Sequence, residues 1–158
     1  MDLRLIYAII LTILPISELR GGLPLAIIYA IDKNIPIVFV FFLIVLLNIL
    51  MIFVIFYFLD KVHGVLMQFN IYKRTFNFYL NKIHKKVDKL EKRHSKIGFY
   101  ALMLFVAIPL PGTGAWTGVI LSWVLGLQRK NSIMAIIAGV MIAGLLILLG
   151  TLGVISLF

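Results

Sequence analysis

Apolar residues fill positions 5–14, resume over 22–31, and then run over 35–59 with a single polar interruption at Asn48. A bilayer core of about 30 Å needs about 20 helical residues, so each of the first two runs reaches only about halfway, whereas the third spans with some tilt. Asp32, Lys33, Asn34 and Pro36 mark a polar boundary between the second run and the third. Residues 60–96 are polar. Within them Phe76, Leu80, Ile83, Val87 and Leu90 recur at steps of four and three, while Lys82, Lys85, Lys86, Lys89, Lys92 and Arg93 fall mostly elsewhere, which predicts an amphipathic helix. The order then repeats. A short run over 97–108 is followed by a break, a second short run over 119–127 closing at Gln128-Arg129-Lys130, and a long run over 131–157.

The breaks carry the unusual residues. Pro15-Ile16-Ser17-Glu18-Leu19-Arg20-Gly21-Gly22-Leu23-Pro24 sets a carboxylate and a guanidinium inside an apolar segment. Each such charge costs about 2.5–3.5 kcal/mol at a membrane helix centre, so it faces a protein interior or a watery cavity and marks a site. The prolines and paired glycines predict a broken or re-entrant helix, which lipid exclusion confines to a cavity lining. Pro109-Leu110-Pro111-Gly112-Thr113-Gly114-Ala115-Trp116-Thr117-Gly118 forms a second break. Adding 96 carries Pro15 to Pro111, Gly22 to Gly118, Ala26 to Ser122 and Ala30 to Gly126, so one unit is used twice. A hairpin plus one span is an odd number of crossings, and the second copy is therefore inverted relative to the first.

The expected fold is an all-α integral membrane protein made of two inverted repeats, each a re-entrant helical hairpin plus one transmembrane helix. Repeat 1 covers residues 3–59, a basic connector 60–96 and repeat 2 97–158, all in one membrane domain. The competing arrangement counts each broken segment as a full span and gives four crossings. The small-residue stripes Gly22/Ala26/Ala30, Gly118/Ser122/Gly126 and Ala135/Gly139/Ala143 predict close helix packing.

Composition agrees with a membrane class: 63% of residues are hydrophobic and mean hydropathy is +1.12. No cysteine is present and three histidines are scattered, so disulfides, thiolate metal sites, a metal or redox cofactor and a cysteine nucleophile are not expected. No nucleophile, base and acid assemble at membrane depth, which favours a carrier over an enzyme. The N-terminal apolar run lacks a small-x-small cleavage site and is read as retained. The net charge of +9 would suggest nucleic acid in a soluble protein, yet ten of the fifteen Lys and Arg lie between Lys61 and Lys96. The positive-inside rule places that connector in the cytoplasm, with both termini outside and no nucleic-acid partner. His63, His84 and His94 belong to its solvated face, and a homodimer is expected to shield the charged segment.

Ser17-Glu18-Leu19-Arg20-Gly21-Gly22-Leu23-Pro24-Leu25-Ala26-Ile27 and the second break closely resemble the two signatures of the small multidrug export protein family, over nearly the whole chain. That family is similar to the wider DedA-like membrane proteins, which pair re-entrant hairpins around an essential arginine. The resemblance implies a cell-membrane transporter, and members of the wider group are implicated in moving polyprenyl phosphate or other lipids. This chain is shorter than typical DedA proteins and carries no acid or arginine in its second hairpin.

The residues themselves point the same way. Half-helices beginning near Gly21 and near Ala115 would aim their N-termini at one another, and such ends favour an anion. Arg20 adds a planar cationic fork. The predicted substrate site is therefore Arg20, the backbone of Gly21, Gly22, Gly112 and Gly114, and the hydroxyls of Ser17, Thr113 and Thr117. Trp116 either stacks on substrate or fills the hairpin interface, and Trp123 is read as an interfacial anchor. Glu18 is either a proton carrier or a counter-ion that pairs with Arg20 to hold the hairpin shut. Asn48 is read as a packing hydrogen bond. The expected activity is translocation of an anionic lipid head, most of all a polyprenyl phosphate, either passive or driven by proton uptake at Glu18. Export of small hydrophobic drugs and a non-transporting scaffold are the alternatives.

Overall fold

The structure is a computed structural model describing residues 2–66, 68, 91–110 and 112–157. The amphipathic helix expected over 76–90 lies outside the described residues. Among the described residues there are six helices: α1 Leu3–Ile13, α2 Glu18–Asp32, α3 Ile37–Leu66, α4 Glu91–Ala107, α5 Ala115–Val124 and α6 Arg129–Ile155. Among the described residues there is no strand.

Leu14 precedes a proline and adopts the extended backbone that proline favours before it, φ −68° and ψ 138°, which ends α1. The break is shorter than its proline and glycine content suggests. α2 starts at Glu18, three residues before Gly21, and runs through Pro24, whose missing N–H leaves the Arg20 carbonyl without its intrahelical donor. α1 and α2 form a tight antiparallel pair. A Cβ on Gly22 would lie 1.9 Å from Thr12 Oγ1 and 2.6 Å from the Ala8 carbonyl oxygen, so only glycine lets the two backbones approach this closely. Two exposed ion pairs fasten the far end of this hairpin, Arg4 Nη1 to Asp32 Oδ2 at 2.5 Å and Lys33 Nζ to Asp2 Oδ2 at 3.2 Å. Asn34, at φ +52°, then turns the chain into α3.

Among the described residues two helices, α3 and α6, are long and apolar enough to cross a membrane. Only 33% of the most apolar stretch of each is buried inside the protein, so most of that surface is apolar and outward-facing, as lipid requires. They run antiparallel: Asp60, near the C-terminal end of α3, binds Arg129, the first residue of α6, at 2.6 Å and accepts from Trp123 Nε1, at the end of α5, at 3.1 Å. Trp123 is therefore part of a polar clasp at the ends of α3 and α5.

The halves share their element order but not all their packing. α1 lies mainly on α2, whereas α4 lies mainly on α6. A Cβ on Gly139 would come within 2.7 Å of the Met103 carbonyl oxygen, and the matching position in the first half, 139 minus 96, is Leu43. Gly22, Ala26, Ala30, Gly118, Ser122, Ala135, Gly139 and Ala143 are buried as their stripes predict. Gly126 is not: it is exposed at φ +64° and closes α5, the left-handed helix end that favours glycine.

Candidate functional site

Both interrupted segments end in a hydroxyl that folds the turn back onto the incoming helix. Ser17 Oγ donates to the Leu11 carbonyl at 2.6 Å, and Thr113, 96 positions later, places Oγ1 2.6 Å from the Ile108 carbonyl and 2.8 Å from that of Leu110. The following residues then reach across to the opposite hairpin. Arg20 Nη2 donates to the Thr113 carbonyl and, at 2.7 Å, to Thr113 Oγ1. Trp116 occupies the position matching Arg20, and its Nε1 donates to the Ile13 carbonyl at 3.1 Å. Each tip is thus tied to the backbone of the other.

Glu18 completes the junction. Its Oε2 accepts from the Ala115 N–H at 3.0 Å and its Oε1 from the Trp116 N–H at 3.0 Å, so the carboxylate sits on the first two amides of α5. That end of a helix presents unsatisfied donors and the positive end of the dipole, which makes a carboxylate a strong partner. Glu18 holds φ +45°, a left-handed conformation costing about 1 kcal/mol for a residue with a side chain, and it is 6% exposed. The chain opposite has made room for it. Gly114 has φ +153°, and a Cβ there would lie 1.9 Å from Glu18 Oε2.

Among the described residues no carboxylate lies within ion-pair distance of Arg20; the three ion pairs are Arg4 with Asp32, Lys33 with Asp2 and Arg129 with Asp60. The direct Glu18–Arg20 pair considered above is replaced by two separate bridges to the second hairpin. Arg20 is half-buried and its hydrogen-bond partners on Thr113 are neutral.

The other predicted site residues fall into two groups. Glu18, Arg20, Thr113, Gly114 and Trp116 meet at the junction. Ser17 spends its hydroxyl on Leu11, Gly21 packs on Ser17, and Gly22 faces α1. Thr117 Oγ1 turns back to the Gly114 carbonyl at 3.4 Å, and Gly112, at φ +83°, is exposed on the outside of the turn.

Asn48 is the residue the sequence reading undervalued. Its Nδ2 donates to the Thr12 carbonyl at 3.4 Å, a packing bond as expected, but it also lines a cavity of about 10 Å³ together with Glu18, Arg20, Gly114, Val140 and Ala143. That volume holds about one water. The signal was present in the sequence, since Asn48 is the one polar residue in an apolar run 25 residues long, 35–59.

A family model described as "Putative small multi-drug export protein" matches residues 18–146, from Glu18 through both breaks and into the second half of α6. No curated protein and no solved structure matches the chain.

Proposed function

The chain belongs to the small multi-drug export protein family, and we propose on that premise that it is a membrane carrier that holds the anionic head of a lipid at Arg20 while the lipid tails stay in the bilayer. One observation carries the reading: a half-buried guanidinium sits at the junction of the two hairpins with neutral hydrogen-bond partners and, among the described residues, no carboxylate in ion-pair range. A tie between two turns needs no charge, and a charge at this depth is costly. A phosphate presents the oxygen pair that the guanidinium fork matches. Polyprenyl phosphate is the lipid we favour.

The junction cavity has room for about one water, so the arrangement described is a closed one. A lipid head enters when the Arg20–Thr113 and Glu18–α5 bonds release and the tips part. This is easier to arrange for a head alone than for a whole bulky molecule. The family description favours a second reading, export of small hydrophobic compounds, and a scaffold without transport is the third.

We further infer that the two hairpins are re-entrant and inverted, entering from opposite faces. The ion pairs that join the start of α1 to the end of α2 support this, because a segment crossing the membrane once would separate those ends. The clasp of Asp60 with Arg129 and Trp123 at the opposite end of α3 supports the same reading for the second hairpin. The connector is then cytoplasmic, both termini lie outside, and a homodimer shields the junction.

Proteoliposomes holding a fluorescent phosphate-headed lipid test the proposal. Faster exchange between leaflets with protein than without, and little effect on a neutral-headed analogue, is the expected result. Equal rates for both lipids remove the anion reading; efflux of a hydrophobic dye without lipid exchange installs the drug-export reading.

A further inference from the structure

Asn48 carries an acceptor that the chain itself leaves unused. Its Nδ2 donates to the Thr12 carbonyl at 3.4 Å, and since a carbonyl only accepts, this bond fixes which way round the amide sits. Oδ1 is then left without a hydrogen-bond partner on a residue 1% exposed. A buried acceptor left unsatisfied is strongly unfavourable, so a donor belongs beside it. The cavity that Asn48 lines has room for about one water, and two charged side chains line it as well. Glu18, as a carboxylate, only accepts, and the Ala115 and Trp116 amides take up two of its about four acceptor sites. Arg20 only donates. Thr113 holds its Nη2, while Nε and Nη1 have no partner among the described residues.

We propose that one ordered water fills this cavity and makes Asn48 a positioning residue for Arg20. The water donates one hydrogen to Asn48 Oδ1 and the other to the Glu18 carboxylate, and its oxygen accepts from Nε or Nη1 of Arg20. Buried waters make about three hydrogen bonds, and here each partner does only what its chemistry allows. Glu18 stays a carboxylate and no proton moves. The consequence lies in the guanidinium. Thr113 holds it by Nη2 alone, which leaves the planar fork free to turn about that nitrogen; a second bond from Nε or Nη1 fixes the plane. Through this water α3 enters the junction, with Thr12 on α1 holding the other end of the Asn48 amide. A fixed fork meets two phosphate oxygens with two parallel N–H groups, whereas a turning one does so only part of the time. That last step rests on the carrier reading. The water and the orientation of Arg20 do not, and the experiment reads those.

Magnetic-resonance spectra of the full chain in lipid nanodiscs, with heavy nitrogen in its asparagine and arginine side chains, test the proposal. In the unaltered protein, cross-relaxation from a water to the Asn48 amide protons is expected, although that residue is cut off from bulk solvent. The Arg20 Nε–H signal, identified by its loss in Arg20→Lys, should be sharp. In Asn48→Leu, which removes the acceptor, it should shift and broaden; were Asn48 only a packing bond to α1, it would stay where it was. Asn48→Asp keeps an oxygen for the water and should return the sharp signal. Should Asn48→Leu misfold, the water contact at Asn48 in the unaltered protein decides alone. The proposal is overturned by an Asn48 amide without water contact, by an Arg20 signal unmoved in Asn48→Leu, or by one as broad in Asn48→Asp. Both signals in a protein that transfers no lipid would uphold the water and remove the carrier reading.

Discussion

Glu18 and Gly114 stand at matching positions of the two halves, 18 plus 96, and the carboxylate of one fills the space that a side chain on the other would take. The junction is therefore asymmetric by construction. Two acids at these positions would collide and repel, whereas one acid and one glycine leave a single carboxylate bridging to the α5 amides.

Gly114→Ala consequently removes room from Glu18 and strains a backbone that favours glycine. We expect destabilisation of about 2–3 kcal/mol from the clash and lost charge-assisted bonds. Adding Glu18→Ala to the same chain removes the group that clashes. The double variant should be more stable than the sum of the two single effects by about 1 kcal/mol or more, read as thermal midpoints in one detergent. Strict additivity would mean that the two residues do not share this space.

Gly22 gives a second stability test with an internal control. A Cβ there meets Thr12 Oγ1 and the Ala8 carbonyl, one of them backbone that cannot yield, so Gly22→Ala should lower stability by about 2 kcal/mol through forced separation of α1 from α2. Gly150 lies in α6 with nothing near a new Cβ, and Gly150→Ala should be neutral or stabilising by up to about 1 kcal/mol. Comparable losses at both positions would show that the effect belongs to glycine in general and not to the hairpin contact.

Much of the fold was legible because lipid imposes simple rules on length and polarity. Among the described residues the two long helices and the four short ones, including the half-helix that begins at Ala115, follow from run lengths and from proline and glycine positions. The start of α2 was misplaced because glycine and proline lower helix propensity, and the hydrogen bonds from Arg20 and Gly21 to Ser17, with packing on α1, override that here. At the junction, residue types were readable but partners were not. Glu18 and Arg20 lie two apart in sequence, and nothing local says that each bonds instead to a segment nearly a hundred residues away. The clasp of Asp60 with Arg129 and Trp123 was hidden for the same reason.

Arg20 separates charge from geometry in transport. Arg20→Lys keeps the charge and loses the fork, so some transfer of a phosphate-headed lipid should persist; Arg20→Gln, with neither, should lower the rate by about tenfold or more, the scale of one charge-assisted contact. The proteins should be compared at equal, monodisperse reconstitution. Full activity in Arg20→Gln would return the chain to the scaffold reading.

The pH dependence of transfer follows from the sign of the Glu18 interaction. As a carboxylate Glu18 holds the Ala115 and Trp116 amides with charge-assisted bonds, each worth about 1.5–3 kcal/mol; as an acid it is a weaker acceptor, and the closed junction loses part of that support. Protonation therefore favours parting of the tips. If opening limits the rate, lipid transfer in the unaltered protein rises as pH falls through the titration of Glu18. Glu18→Gln keeps the shape but fixes the neutral state, so its rate should be high and flat across the same range. Arg20 stays charged throughout and adds no slope. Transfer rates in liposomes clamped at a series of pH values decide the matter. A Glu18→Gln profile parallel to that of the unaltered protein would place the titrating group elsewhere and leave Glu18 as a fixed tie between the two hairpins.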